Sequence, residues 1–310
     1  MKKNIKTIGV FLLSFFLFLG AYSFVNHALL RKTKYGDWNY LVKIGNFDLL
    51  EKDSLDVVIL GSSHAYCSID NLLLEQKYDI QAYTLATQQQ SVKLNYYFFK
   101  EMLKTQSPKK VIVELFMIGR VHGYQSDDIL HDAIDVLPWS FNKIQMIEDA
   151  VPDDKKMEHY FPIIKYHTRW KELTLDDFSY DYKKWEDKER GFVRLKQVYP
   201  TELDLSLPFG SVREISEEDL EYLGKIEKLA EEHNIELIYL YAPYPMDGNA
   251  VDYAYTIELY AKEKGITYIN GYKLLSELKY DGNTDFCDEY GHLNESGAIK
   301  LTHYLSDYLK

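Results

Sequence analysis

The chain has 310 residues, enough for one large α/β domain with insertions or for two small domains, and its composition is that of a folded protein. Its formal net charge of −12 argues against nucleic acid as a partner, because an acidic surface repels a polyanion. The two cysteines, Cys67 and Cys287, are too few for a disulfide scaffold and lack the spacing of a structural zinc site. They are expected to be either two buried thiols or one disulfide between neighbouring loops.

The first 34 residues predict a membrane anchor. An uncharged apolar run at residues 8–25 is about as long as a bilayer-spanning helix, and basic residues flank it on both sides. A cleaved signal peptide is the alternative, because Ala21, Tyr22 and Ser23 resemble a cleavage site. The length of the run favours the uncleaved anchor, and both interpretations export the rest of the chain. Residues 35–54 are then interpreted as a juxtamembrane linker.

From residue 55 onward the pattern alternates between strands and helices. Three apolar runs predict strands at residues 56–60, 80–85 and 109–116. Two helical segments separate them, and the second begins at Ser91. Such a βαβαβ unit forms a parallel sheet with helices on both faces. Residues 55–310 are therefore predicted to form one α/β domain.

The pattern breaks at about residues 120–213, where aromatic residues and prolines are scattered without a clean period. This stretch is too long for a loop inside a compact domain, so it predicts a largely helical insertion over the sheet. Order returns at Ser216, an expected N-cap with Asp219 at the capping-box position. Further strands are predicted at residues 235–243 and 266–270, and a helix closes the chain.

Two loops carry the residue types of a nucleophilic site. The first strand ends in "LGSSH", and ligand sites of open parallel sheets lie at such strand ends. A serine there could be a nucleophile, although a Gly-Ser-Ser turn often does no more than cap a helix. His292 lies in a polar loop before the last helix, with Asp285, Asp288 and Glu289 just upstream. Since this loop falls at the same edge of the sheet, it could supply the base and the acid that a serine nucleophile needs.

These blocks resemble the SGNH (GDSL-like) hydrolase superfamily. The resemblance rests on "ILGSSHAY", on residues 83–115 and on "DFCDEYGHLNESGAIKLTHYL", and it covers about residues 55–115 and 214–310. The chain is most similar to membrane-anchored members that work with membrane-bound O-acyltransferases, as in alginate acetylation and teichoic-acid D-alanylation. The resemblance implies a flavodoxin-like three-layer α/β/α sandwich, with Ser63 as nucleophile, Gly61 at the family's glycine and His292 as base.

The acid and the oxyanion hole depart from the family pattern. The family usually places an aspartate three residues before the histidine, whereas Asp288 precedes His292 by four residues and Glu289 precedes it by three. Asp288 is the preferred acid, because four residues can still place a carboxylate against the ring across one turn, and Glu289 is the alternative. The family's oxyanion glycine and asparagine are not evident, so Gln90 and the Ser63 backbone N–H are the candidate donors.

The remaining polar candidates have both functional and structural interpretations. Glu114 ends the third predicted strand and could orient other groups or bind substrate, and His64 could line the pocket or only pack beside it. His167 and Arg169 could hold a sugar hydroxyl or an acidic group, or pin the insertion to the core. The other histidines are expected to be superficial or structural: His122, His131, His159, His233 and His303. No spacing suggests a metal site or a phosphate loop, and no cofactor is predicted.

Together these features predict ping-pong acyl transfer, with acetyl as the expected acyl group. The acceptors would be hydroxyls of a cell-surface or exported polysaccharide or of a teichoic-acid-like polymer, and a membrane-bound O-acyltransferase is the expected partner. A carbohydrate acetyl-esterase that uses the same residues is one alternative, and a non-catalytic membrane-anchored scaffold is the other. The expected location is the cell membrane, with one span and an extracytoplasmic domain, or secretion if the N-terminal segment is cleaved.

Overall fold

A five-stranded, wholly parallel sheet lies at the centre of the computed structural model, which describes residues 2–30, 40–120, 125–179, 181 and 184–310. The strands are β1 (Val57–Gly61), β2 (Ala82–Ala86), β3 (Lys110–Glu114), β4 (Glu236–Tyr241) and β5 (Thr267–Asn270). Their order in the sheet is β2-β1-β3-β4-β5. This is the strand order of flavodoxin-like doubly wound folds, so the predicted parallel α/β architecture is confirmed.

Helices surround the sheet and also precede it. They are α1 (Lys2–Leu29), α2 (Tyr40–Phe47), α3 (Ser63–Tyr66), α4 (Asn71–Tyr78), α5 (Val92–Met102), α6 (Asp127–Ile134), α7 (Phe141–Ala150), α8 (Lys156–Tyr160), α9 (Ile163–Tyr166), α10 (Leu175–Ser179), α11 (Glu217–Glu232), α12 (Gly248–Lys264), α13 (Gly271–Glu277) and α14 (Glu295–Leu309). A 3₁₀ turn, His167–Lys171, follows α9. The crossovers α4 and α5 cover opposite faces, because right-handed connections leave β1 and β2 in opposite directions across the sheet. Helix α14 packs on α4 and α11 packs on α5, which completes the two outer layers.

Apolar runs and N-cap residues determine where these strands and helices lie, as the sequence pattern predicted. The apolar side chains of β1 are fully buried, as a central parallel strand requires. Ser91 and Ser216 are N-caps that accept hydrogen bonds from the backbone N–H groups of Leu94 and Asp219. Asn294 caps α14 in the same way. That cap fixes the start of the last helix and so the end of the loop that carries His292.

Helix α1 contains the predicted anchor. Among the described residues one helical segment, Lys6–Leu29, is long and apolar enough to cross a membrane or to act as a signal sequence. Its C-terminal end packs on the insertion: the ring of Tyr22 lies edge-on to Phe161 with centroids 6.2 Å apart, and the rings of Phe24 and Phe178 lie 5.5 Å apart. The flanking basic residues Arg31, Lys32 and Lys34 lie outside the described residues.

The insertion and the segment before β1 each combine helices with irregular chain. The insertion is helical from α6 to α10, but residues 190–215 form an irregular strap. In this strap the N–H of Val193 donates to the carbonyl of Tyr66, at 2.7 Å, and Leu195 accepts from the N–H of Glu295, also at 2.7 Å. In the predicted linker, residues 40–47 form α2, whose Phe47 is buried in the core, and residues 35–39 lie outside the described residues.

Candidate active site

Ser63 stands at the carboxyl end of β1, at the start of α3. Ser62 is the N-cap of that helix, and its hydroxyl accepts a hydrogen bond from the N–H of His64 at 3.2 Å. The tight turn requires glycine at residue 61. A Cβ on Gly61 would lie 2.6 Å from the Cβ of Glu114 and 2.8 Å from that of Ala65. The sequence "GSSH" therefore brings the chain from β1 into α3 with the Ser63 side chain at the sheet edge.

His292 and Asp288 complete a serine–histidine–aspartate arrangement with Ser63. The Ser63 Oγ lies 2.8 Å from the Nε2 of His292, and the Nδ1 of His292 lies 2.6 Å from the Oδ2 of Asp288. Ser63 and His292 are 229 positions apart in the sequence, and the parallel sheet brings them to the same edge. This is the geometry that an activated serine nucleophile requires.

The turn from Asp288 to His292 explains why the acid lies four residues before the histidine. The Oδ1 of Asp288 accepts the backbone N–H groups of Tyr290, at 3.0 Å, and of His292, at 3.1 Å. Gly291 has a φ of +76°, a conformation that favours glycine, and this closes the turn. Glu289 is exposed, and Asp288 is the carboxylate that reaches the imidazole ring.

The hydrogen bonds fix how the ring is protonated. Asp288 can only accept, so the Nδ1–H of His292 donates to it and the Nε2 lone pair faces the hydroxyl of Ser63. Burial alone would raise the pKa of Asp288, but its hydrogen bonds and attraction to His292 hold that pKa below the ordinary value. Asp288 is therefore ionised near neutral pH, and a carboxylate in this position stabilises an imidazolium if the ring gains a proton.

Glu114 supports the turn beneath Ser63. Its Oε2 accepts from the hydroxyl of Ser62, at 2.8 Å, and its Oε1 accepts from the N–H of Phe116, at 2.6 Å. Burial raises the pKa of Glu114 to about 7, against the lowering effect of the hydrogen bonds from Ser62. The sequence left open whether Glu114 orients other groups or binds substrate, and these hydrogen bonds support the orienting role.

Gln90 lies in a buried network of side chains. Its amide nitrogen donates to the Oδ1 of Asn95 at 2.7 Å, and its carbonyl accepts from the hydroxyl of Thr87 at 3.0 Å. One amide hydrogen of Gln90 is thus committed to Asn95. The contacts recorded for Gln90 are with this network, and its role as an oxyanion donor stays a prediction.

His64 packs directly beside the candidate base. Its ring stacks on Phe116 with centroids 3.6 Å apart, and it lies 4.5 Å from the ring of His292. Burial, together with the nearby His292 and Arg120, holds the pKa of His64 well below its usual range, so the ring is neutral. His64 therefore forms an uncharged wall of the site, next to His292.

His167 and Arg169 lie in the insertion and contact different partners. The Nη1 of Arg169 donates to the carbonyls of Leu29, at 2.6 Å, and Leu30, at 2.7 Å, at the end of α1. His167 is exposed, and its Nδ1 lies 2.7 Å from the carbonyl oxygen of Ile164. These contacts favour the structural interpretation, with one difference: Arg169 pins the insertion to α1 rather than to the core.

The cysteines lie close to the site. Within the described part of the chain, Cys67 and Cys287 are buried thiols and do not form a disulfide. Burial, with the charge of the adjacent Asp288, raises the pKa of Cys287 to about 12. A thiol with this pKa stays protonated near neutral pH, so it fits a structural position better than a nucleophilic one.

A polar pocket beside the site was not predicted from the sequence. It has a volume of about 400 Å³, and the described residues lining it include Arg120, Arg213 and Asp247. Arg120 donates to the hydroxyl of Tyr244 at 2.7 Å and lies 4.0 Å from the ring of Phe116, which in turn stacks on His64. Single arginines in an irregular segment carry no sequence pattern, so only the fold could show this pocket.

Comparisons with known proteins give weak likenesses. No family model and no curated protein matches the chain. Among solved structures, a GDSL-like lipase from Bacteroides thetaiotaomicron is 10% identical, with a TM-score of 0.40 over 88% of this chain and 98% of its own. A protein of the G-D-S-L lipolytic family from Desulfitobacterium hafniense is 16% identical, with a TM-score of 0.39 over 81% and 97%. An acetyl xylan esterase from the rumen bacterium Butyrivibrio proteoclasticus is 12% identical, with a TM-score of 0.36 over 84% and 64%. Likenesses at these scores carry no argument, so the functional reasoning rests on the geometry of Ser63, His292 and Asp288.

Proposed function

We propose that this protein is an extracytoplasmic SGNH-type serine acyltransferase that passes an acyl group, acetyl in the first instance, to hydroxyls of an exported or cell-surface polysaccharide. The observation that carries the proposal is the hydrogen-bonded chain from Ser63 through His292 to Asp288, with distances of 2.8 and 2.6 Å. It is supported by the position of Ser63 at a strand end of a parallel sheet, where ligands of such folds bind.

The mechanism follows from the hydrogen bonds. His292 Nε2 takes the Ser63 proton while the Oγ attacks the acyl carbonyl, and Asp288 stabilises the imidazolium. The tetrahedral intermediate collapses as His292 gives this proton to the leaving oxygen, and the acyl group stays on Ser63. An acceptor hydroxyl then gives its proton to His292 and attacks the acyl-enzyme, and the second collapse returns the proton to Ser63.

The oxyanion would be held by the backbone N–H of Ser63. This group lies in the first turn of α3, where backbone N–H groups have no acceptor within the helix. The amide hydrogen that Gln90 does not give to Asn95 is the candidate second donor. A site with only one such donor would be slower by a factor of about 10²–10³ than one with two.

The proposed setting is a membrane with α1 as an uncleaved anchor. Residues 21–23, the alternative cleavage site, lie inside α1, and Tyr22 contacts Phe161 of the folded insertion. This contact favours retention of the segment, because a cleaved peptide would leave Phe161 without its partner. The anchor would hold Ser63 near a membrane-bound O-acyltransferase, the proposed source of the acyl group.

Active-site labelling tests whether Ser63 is a nucleophile. The full chain in detergent is treated with a fluorescent fluorophosphonate, and peptide mass spectrometry is expected to find the adduct on Ser63. Ser63→Ala should remove the label. The matched control is Ser68→Ala, since Ser68 is buried and its Oγ has no hydrogen-bond partner among the described residues. A wild-type protein that does not label, together with full function of Ser63→Ala in cells, would overturn the proposal and favour a scaffold.

A second assay separates transfer from hydrolysis. The full chain is incubated with p-nitrophenyl acetate, with and without a deacetylated oligosaccharide, and the products are analysed by mass spectrometry. Acetylated oligosaccharide that depends on Ser63 supports the transferase. Free acetate as the only product, at an unchanged rate when oligosaccharide is added, supports the carbohydrate esterase instead.

A further inference from the structure

The insertion contains a buried cluster of two histidines and two aspartates on α6, α8 and the residue that follows α6. The rings of His131 and His159 stack 3.8 Å apart. The Nδ1 of His131 lies 2.8 Å from Asp135, and its Nε2 lies 3.7 Å from Asp127. Both histidines are fully buried, with 2% and 0% of their surface exposed.

Several polar atoms of this cluster have no hydrogen-bond partner among the described residues. Among the described residues, the buried atoms without a hydrogen bond include Asp127 Oδ1, His131 Nε2, Asp135 Oδ1 and both ring nitrogens of His159. Buried polar atoms of folded proteins are nearly always paired, and each unpaired one costs stability. So many unpaired atoms in one place, on residue types that bind metals, indicate that the cluster receives a ligand.

We propose that Asp127, His131 and His159 bind a divalent transition metal ion, with Zn²⁺ as the expected ion. One ligand atom from each residue lies within 4.8 Å of the other two. Donors around tetrahedral zinc lie about 2.0–2.2 Å from the ion, so modest side-chain movement brings these three into range. Nitrogen and carboxylate donors suit zinc, and the fourth position remains for water.

Asp135 orients one ligand. It accepts the Nδ1–H of His131 and also the hydroxyl of Tyr166, at 3.0 Å. A histidine ligand normally donates its second N–H to a carboxylate, and this bond directs the lone pair of the other nitrogen at the metal. In His131 that lone pair is on Nε2, which faces Asp127.

Binding requires one ring to turn. The two imidazole rings are nearly parallel, with an angle of 10°, and one ion cannot lie in both planes. His159 is the ring that turns, because neither of its nitrogens holds a hydrogen bond among the described residues.

Two lysines also face the cluster. Lys165 pairs with the Oδ2 of Asp127, which leaves Oδ1 for the ion, and Lys143 donates to the backbone carbonyls of Asp135 and Leu137.

The ion would have a structural effect on the anchor. It would join α6 to α8, and α8 leads through α9 to the 3₁₀ turn that holds Arg169. Arg169 binds the last carbonyls of α1. Metal binding would therefore stiffen the part of the insertion that grips the membrane helix.

Zinc titration of the full chain tests the site. A second group, Cys287, Asp288 and His292, could also take an ion, so the measurement uses Asp288→Asn protein as the background. After treatment with EDTA and dialysis in detergent, calorimetric titration with ZnCl₂ is expected to show one bound equivalent, and the melting temperature is expected to rise with zinc. His159→Gln and Asp127→Asn in this background should each lose that equivalent.

Further variants separate ligation from folding. Asp127 is only partly buried and asparagine has its shape, so Asp127→Asn should fold even if His159→Gln does not, and circular dichroism without zinc checks this. Asp135→Asn is expected to weaken zinc binding by about 10–100-fold, the usual effect of losing a residue that orients a ligand. His233→Gln removes an exposed histidine and should bind like the background. Absence of the equivalent from the Asp288→Asn protein, or its persistence in Asp127→Asn, would overturn the proposal.

Discussion

Replacing Asp288 by asparagine tests the arrangement of the acid and the base most directly. The Oδ2 of Asp288 accepts from His292 Nδ1 at 2.6 Å, while its Oδ1 accepts two backbone N–H groups. An asparagine has only one acceptor oxygen. If its NH₂ group faces the backbone, it lies against the N–H groups of Tyr290 and His292, and both of their hydrogen bonds are lost. If the NH₂ faces the ring, His292 must accept at Nδ1 and carry its proton on Nε2.

We expect the NH₂ group to face the His292 ring. This orientation keeps both backbone hydrogen bonds and requires only that His292 change its tautomer. His292 then presents Nε2–H to Ser63 and cannot take its proton. The same substitution in serine-protease triads lowers kcat by about 10⁴, which corresponds to about 5.4 kcal/mol of transition-state stabilisation. We expect Asp288→Asn to lower the rate at which Ser63 reacts with a fluorophosphonate by between about 10³- and 10⁴-fold, with folding intact.

The assay is the rate of fluorophosphonate labelling of the full chain, followed by in-gel fluorescence at several times and at pH 7.5. Glu289→Gln is the matched control, because Glu289 is adjacent but exposed, and its labelling rate should stay within about twofold of wild type. A labelling rate of Asp288→Asn within tenfold of wild type would refute the reasoning. A large loss in Glu289→Gln instead would make Glu289 the acid.

Two further predictions concern the turn beneath Ser63. Burial raises the pKa of Glu114 from 4.5 to about 7, so between these values the folded protein keeps a proton that the unfolded chain has released, and stability falls as the pH rises from 4.5 to 7. Glu114→Gln should remove this trend, and a wild-type melting temperature that climbs relative to the variant from pH 5 to 7 would contradict it. Gly61→Ala should lower the free energy of unfolding by about 1–3 kcal/mol in a urea titration, because its Cβ would meet Glu114 and Ala65. Gly224→Ala, in a helix with open space around it, should raise that free energy by up to about 1 kcal/mol, and equal effects of the two substitutions would exclude crowding as the cause.

The sheet and the pair of Ser63 and His292 could be predicted from sequence because they depend on local pattern and on one rule of topology. Apolar runs bounded by polar residues marked the strands, and parallel strands place their carboxyl ends at one edge. The short helix α13 was missed, since its seven residues carry little periodicity.

The choice between Asp288 and Glu289 needed the backbone. A spacing of four residues suggests a helix turn, but Asp288 reaches the ring through a tight turn in which it also accepts two N–H groups. The left-handed conformation of Gly291 makes that turn possible. The sequence contains the glycine but does not say which carboxylate its turn presents.

Contacts between distant segments were the least predictable. Asp127 and His131 are four residues apart on α6, but His159 lies 28 positions further on, with another helix between, so no local motif joins them. Likewise nothing in "YHTRW" indicates that Arg169 binds the end of α1. Such pairings depend on how the insertion folds back, which short-range patterns do not encode.

The grip of the insertion on α1 has a practical consequence for biochemistry. A shortened protein that begins after residue 34 would lack Tyr22 and Phe24, and the rings of Phe161 and Phe178, already 43% and 40% exposed, would face water. Arg169 would lose two carbonyl acceptors at the same time. We expect such a shortened form to associate through this surface and to unfold locally at the insertion. Rates measured on the shortened form would then describe a protein whose insertion packs differently from that of the full chain.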